Sequence, residues 1–151
     1  MRAWRLCRAP YQALDGKGAR LYGGRWNSPG RNVVYAASTL SLAALEYLAH
    51  IDIADIPDDL VAIQVELPAD AAVENRAVSS LPRDWRRAVA PVGCQRIGDG
   101  WIADNRALAL LVPSVLVPEE FNVLVNPQRA EMGAVAIVSV RDFVFDARLI
   151  G

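Results

Sequence analysis

Four polar side chains stand where packing alone gives them little reason to be. Arg25 lies within Gly23-Gly24-Arg25-Trp26-Asn27-Ser28-Pro29-Gly30, and Tyr35 interrupts the apolar run that follows. Glu46 is the only acidic side chain between Ser38 and Ile51, and Ser114 follows a proline between two apolar stretches. Glycines and a Pro-Gly pair let a backbone approach a ligand closely, and a guanidinium fork matches a phosphate or carboxylate. The first segment therefore reads as an anion-binding loop leading into a sheet, and the carboxylate is conspicuous in its apolar setting. Each residue also has a purely structural reading. Arg25 and Glu46 pair as a buried ion pair, Tyr35 is a core aromatic, Ser114 is a turn residue, and Glu46 meets His50 four residues on.

Elements that position these residues follow from hydrophobic spacing. Trp4 and Leu6, separated by arginine, read as a strand, and residues 10–18 as a loop with an Asp15-Gly16 turn. Residues 32–37 read as a second strand, and Ser38 or Thr39 caps a helix over residues 40–50 that is apolar almost all round. Residues 60–67 form a strand ended by Pro68, with Val61, Ile63, Val65 and Leu67 on one face. Signals are weak over residues 69–100, with a short helix start at 81–86 and a loop at Gly93, Gly98 and Gly100. Residues 101–112 read as a helix stopped by Pro113, residues 114–118 as a short strand between prolines, and residues 121–125 as a strand closed by Asn126-Pro127. A last long strand covers residues 134–140, with Phe143 and Phe145 close behind. Six or seven strands and two or three helices, not strictly alternating, predict one α+β domain over residues 1–151, with a mixed, mainly antiparallel sheet and flanking helices.

Composition narrows the function class. A chain of 151 residues that is 53% hydrophobic and 22% charged is long enough for one core. Lys and Arg number 16 against 17 Asp and Glu, so no general attraction for nucleic acid or an anionic membrane exists. Neither partner is expected, and the tryptophans at 4, 26, 85 and 101 read as core or pocket wall. The N-terminal residues carry no signal-peptide core, and the longest apolar stretch, residues 107–117, is cut by Pro113. The expected compartment is the cytoplasm. Cys7 and Cys94 are distant in sequence and His50 is the single histidine, which supports neither a metal site nor a disulfide framework.

Gly24-Arg25-Trp26-Asn27 with Tyr35, then Leu42-Ala43-Ala44-Leu45-Glu46, then Val112-Pro113-Ser114-Val115 with Asn122 and Asn126-Pro127, resemble the RES domain, named after its arginine, glutamate and serine. The resemblance implies a fold similar to ADP-ribosyltransferases and a role as the toxin of a bacterial toxin–antitoxin pair whose antitoxin is an Xre-like protein; that partner is expected to occlude the active site at Arg25. It implies NAD as substrate, no further cofactor, and rupture of the nicotinamide–ribose bond, in some members with inorganic phosphate as acceptor and in at least one with a protein. Many relatives carry a histidine near the place where this chain has Gln128-Arg129, a departure from the family pattern.

By that resemblance, Arg25, Tyr35, Glu46 and Ser114 line the pocket. Glu46 stabilises the oxocarbenium-like cation as nicotinamide leaves neutral, which requires no general acid. Arg25 grips the pyrophosphate, and Tyr35 and Ser114 contact the nicotinamide end or a phosphate. Asn27 and Asn122 are secondary binding candidates, each also read as a turn or cap residue. A non-catalytic module that only holds a partner is the alternative from another class.

Overall fold

Alternation in the first eight residues sets the centre of the sheet. Strand β1, Arg2–Arg8, sends Ala3 and Cys7 to one face and Leu6 to the other. It pairs antiparallel with β3, Leu60–Glu66, in unbroken register from Arg2↔Glu66 to Arg8↔Leu60. β3 is apolar on both faces, with Val61, Ile63 and Val65 in one cluster and Leu60 and Ala62 in another. A strand so patterned needs cover on both sides, and it has it.

The structure, a computed structural model, describes residues 1–151. The other strands are β2 (Val34–Ala37), β4 (Val73–Asn75), β5 (Ala109–Pro113), β6 (Phe121–Val125) and β7 (Ala136–Asp142). They form one seven-stranded sheet in the order β4-β5-β6-β2-β1-β3-β7, in which only the β4–β5 pair is parallel. The four helices are α1 (Lys17–Tyr22), α2 (Leu40–Ala49), α3 (Val92–Asp104) and α4 (Ala147–Ile150). The predicted α+β class with a mixed, mainly antiparallel sheet is the one observed.

Two helices cover one face of the sheet side by side. α2 starts where the cap predicts, with Thr39 Oγ1 accepting the Leu42 N–H at 3.1 Å. It buries Leu42 and Ala43 against Leu6, Ala37 and Ala62, and burying Leu42 alone contributes about 1.5–3 kcal/mol. α3 lays Cys94, Trp101 and Ile102 on Leu110, Val112 and Leu124. The opposite face is covered by irregular segments carrying Leu14, Ala71, Met132 and Val135. Both cysteines are buried free thiols, and no helix is long and apolar enough to cross a membrane.

Four expectations are corrected. The helix expected over residues 101–112 is α3 ending at Asp104, followed by a strand. Asn105 adopts the left-handed conformation (φ 51°) and its N–H bonds the Trp101 carbonyl, a helix stop. Residues 107–110 are wholly buried, and a continuous apolar run of that length fits a buried strand as well as a helix. The loop expected at Gly93, Gly98 and Gly100 is part of α3, and Gly98 marks a close contact within it rather than a break: a Cβ there would lie 1.5 Å from the Trp26 carbonyl oxygen. Residues 114–118 are a turn rather than a strand, since Ser114 Oγ accepts the N–H groups of Leu116 and Val117 at 3.0 and 3.2 Å. α1 also begins within the expected loop, at Lys17, just after Gly16 (φ 68°).

Candidate functional site

Glu46 gathers polar groups from three elements. It lies on α2 with its side chain 23% exposed. The Ser114 hydroxyl donates to Oε1 at 2.8 Å, and Asn122 Nδ2 donates to the same oxygen at 2.9 Å. Ser114 is wholly buried, and the Leu116 and Val117 amides occupy its lone pairs, which directs its proton to the carboxylate. Asn122 reaches Glu46 from β6, where it sits opposite Ala37 of β2 and Val112 of β5. Both strong donors therefore converge on one oxygen. Oε2 is left facing only His50 Nε2 at 3.9 Å, and that imidazole is 77% exposed.

A second group is built on the loop before β2. Tyr35 donates its hydroxyl to Asn27 Oδ1 at 2.7 Å and accepts the Trp26 N–H at 3.2 Å. Burial pushes its phenol well above the ordinary tyrosine range. Asn27 is wholly buried, and its Nδ2 donates to the Ala19, Ser28 and Arg31 carbonyls at 2.9, 3.1 and 3.3 Å. Arg25 extends from this frame to the Trp85 carbonyl at 2.9 Å, with a longer contact of 3.5 Å to the Ala88 carbonyl. It makes no ion pair with Glu46.

Register joins the two groups. Tyr35 is opposite Leu124 and Ala37 is opposite Asn122, so Tyr35 and Asn122 are diagonal neighbours on the face that α2 and α3 cover, about 7–8 Å apart. Residues 85 and 86 bridge the outside: the Trp85 carbonyl takes Arg25, and Arg86 Nε donates to the Val115 carbonyl at 3.2 Å, next to Ser114. The two groups set a guanidinium and a carboxylate with one free oxygen on the same side of the sheet, a pattern suited to a ligand with an anionic part and a part that becomes cationic.

The RES domain family model matches residues 2–146. This chain belongs to the RES family. It is 35% identical over 150 residues to "Toxin Res" of Photorhabdus laumondii subsp. laumondii, covering 97% of this chain and 96% of the relative. It is 36% identical over 153 residues to the "Prs ADP-ribosylating toxin" of Sphingobium sp. strain YBL2, covering 97% and 95%. In fold it is similar to a chain of the M. tuberculosis MbcT-MbcA toxin-antitoxin complex, with a TM-score of 0.72 at 22% identity over 95% of this chain and 84% of that one.

Of the three residues that carry the expected site, Glu46 and Ser114 are in direct contact and Arg25 is apart, reaching a backbone carbonyl. Asn122, a secondary candidate in the sequence, is bound directly to Glu46. Asn27 is different. Its amide and carbonyl are spent on the loop itself, which makes it a brace and leaves it no outward-facing polar atom. The Tyr35 hydroxyl is likewise committed, so its ring is the part left to meet a ligand. Gln128 and Arg129 are tied into the protein: the Gln128 N–H bonds Asn126 Oδ1, and Arg129 bonds Glu131 and the Asn105 carbonyl. Sequence gives no signal for Arg86, Gln95 and Asp99, and none for the Trp85 carbonyl beyond a tryptophan in the core or pocket wall, because their partners are side-chain and backbone groups far along the chain.

Proposed function

We propose that this RES protein is a toxin that consumes NAD by breaking the bond between nicotinamide and ribose. The observation that carries the reading is the asymmetry at Glu46: Ser114 and Asn122 hold Oε1, and Oε2 stays free in a largely buried setting beside an arginine-bearing loop. As the bond breaks, its electron pair goes to the pyridinium nitrogen and nicotinamide departs neutral, while positive charge grows at the ribose anomeric carbon. Glu46 Oε2 accepts a ribose hydroxyl and stabilises that charge, and its fixed partners spare it reorganisation. Arg25 takes the pyrophosphate with its remaining N–H groups. The Tyr35 ring borders the nicotinamide end, and Asn122 Oδ1 is available to a substrate hydroxyl. An acceptor oxygen then bonds to the anomeric carbon: water does so with loss of one proton to solvent, and an ionised oxygen of inorganic phosphate does so directly.

The name of the Sphingobium relative favours a second reading in which the same cleavage delivers ADP-ribose to a protein. Mass spectrometry of products formed from NAD, with and without phosphate, distinguishes the acceptors. Release of nicotinamide that Glu46→Gln lacks supports the enzyme, and intact NAD under every condition, with and without a protein acceptor fraction, sinks it.

The fold neighbour comes from a toxin–antitoxin complex, and an Xre-like antitoxin is the proposed partner. Leu45 and Leu116, 44% and 41% exposed, flank the Glu46 and Ser114 positions and give such a partner apolar surface at the rim. NAD turnover that persists undiminished in a stoichiometric complex would rule out occlusion.

A further inference from the structure

The loop that carries Arg25 is held by one face of α3. Positions 98 and 99 each lie one turn from 95, three and four residues on, so Gln95 shares a face with both. Asp99 receives the Ser28 N–H on Oδ1 at 3.0 Å and the Ser28 hydroxyl on Oδ2 at 2.5 Å. Gln95 Nε2 donates to the Gly24 carbonyl at 3.3 Å and reaches toward the Asn27 carbonyl at 3.5 Å. Between them, Gly98 has no side chain and lets the Trp26 carbonyl close in. These contacts grasp the loop on both sides of Arg25 and touch Arg25 itself nowhere.

Ordinary packing does not require this arrangement. Gln95 and Asp99 are half-buried, where solvent could satisfy both side chains, yet both spend their polar groups on the five-residue 24–28 loop. A loop rich in glycine loses much backbone entropy when it is ordered, and a charge-assisted pair of bonds to one serine is among the stronger ways to offset that loss. A displaced guanidinium also costs far more in ligand binding than in folding, since a misplacement of about 1 Å is worth up to about a hundredfold.

We propose that Asp99 is a positioning residue for the anion-binding arginine: it fixes Ser28, and through it the 24–28 loop, so that Arg25 meets the pyrophosphate of NAD without reorganisation. Gln95 is its auxiliary. This rests on the NAD reading above and deepens it by placing affinity for the substrate's anionic part on a helix that does not touch the substrate. Asp99 takes no part in bond cleavage, which belongs to the Glu46 end.

The experiment is steady-state NAD cleavage by the intact chain, comparing wild type, Asp99→Ala, Asp99→Asn and Ser28→Ala, with thermal unfolding of each. Asn keeps an acceptor for the Ser28 N–H and offers an amide donor to the Ser28 oxygen. The expected result is KM for NAD raised about tenfold or more in Asp99→Ala, kcat within a few-fold of wild type, and KM largely restored in Asp99→Asn. Ser28→Ala gives an intermediate KM and supplies the comparison if Asp99→Ala fails to fold. A wild-type enzyme whose Asp99→Ala or Ser28→Ala variant keeps its KM, or loses kcat at constant KM, overturns the positioning role while the NAD reading stands. A wild-type protein that neither binds nor cleaves NAD overturns both.

Discussion

The Ser114 hydroxyl donates to Glu46 Oε1 across 2.8 Å, joining residues 68 apart in sequence. Asn122 donates to the same oxygen, so the carboxylate is gripped on one side and open on the other. That asymmetry leads to the first expected outcome. Glu46→Gln keeps an amide oxygen for Ser114 and Asn122 and replaces the free carboxylate oxygen with a neutral donor. The fold and NAD binding are retained, and kcat for nicotinamide release falls about 10²–10³-fold. A variant with more than half of wild-type turnover shows that Glu46 is structural.

Ser114→Ala removes three hydrogen bonds at once: the one given to Glu46 and those accepted from Leu116 and Val117. Ser114 is wholly buried, so two amides and a carboxylate oxygen lose a partner where water does not easily replace it. Stability drops by about 1–3 kcal/mol, read as a lower urea midpoint at unchanged slope. An unshifted midpoint means that the turn does not depend on the hydroxyl.

Arg25→Lys keeps the charge and loses the fork. A single ammonium on a flexible stem replaces the planar group that reaches the Trp85 carbonyl while offering further N–H groups to a diphosphate. KM for NAD rises about tenfold, equivalent to about 1.4 kcal/mol, and kcat changes little. Equal KM values for the two proteins contradict a bidentate role.

Gly98→Ala places a methyl where the Trp26 carbonyl already sits. Both contact partners are backbone, so the helix and loop must separate, at a cost of about 1–3 kcal/mol. Calorimetry is expected to show a lower melting temperature and weaker NAD binding together. Gly100→Ala, with open space around it, raises or leaves the melting temperature unchanged.

The Tyr35 phenol titrates well above its ordinary value of 10.0 because it is buried. In alkali the unfolded chain loses that proton first and the folded one retains it. Its contribution is therefore complete below about pH 10 and is lost as pH rises through the folded value. Tyr35→Phe is less stable at neutral pH, because Asn27 Oδ1 and the Trp26 N–H lose their partner. It also loses less additional stability than wild type between pH 9 and about pH 11. Parallel pH–stability curves for the two proteins in alkali contradict that assignment.

The site was legible where its signals were local. Thr39 and the apolar spacing after it set α2, which puts Glu46 on a defined face, and a proline next to Ser114 marked a change of direction. What escaped was set by distant contacts. Gly98 reads as a helix breaker until Trp26 is placed against it, and the strand at Ala109–Pro113 shares its unbroken apolar character with a buried helix. Asn27 seemed as good a ligand contact as Asn122, because only the surrounding carbonyls separate a brace from a free amide. Arg25 and Glu46 were equally compatible with an ion pair until the Trp85 carbonyl claimed the guanidinium.

Sheet order carries one more consequence, for biosynthesis. β2 lies between β1 and β6, and β6 enters the chain more than eighty residues after β2. Until Asn122 has emerged from the ribosome, α2 can form but Glu46 lacks at least one of its two donors and the sheet has no complete β6 to close against β2. Pairings of such high contact order form slowly. A cell making an NAD-consuming enzyme of this design is exposed to it only after residues 121–125 have been made, because a chain interrupted before them lacks the Asn122 donor and the strand that pairs with β2. That delay gives a co-expressed partner time to accumulate before the first active molecule appears.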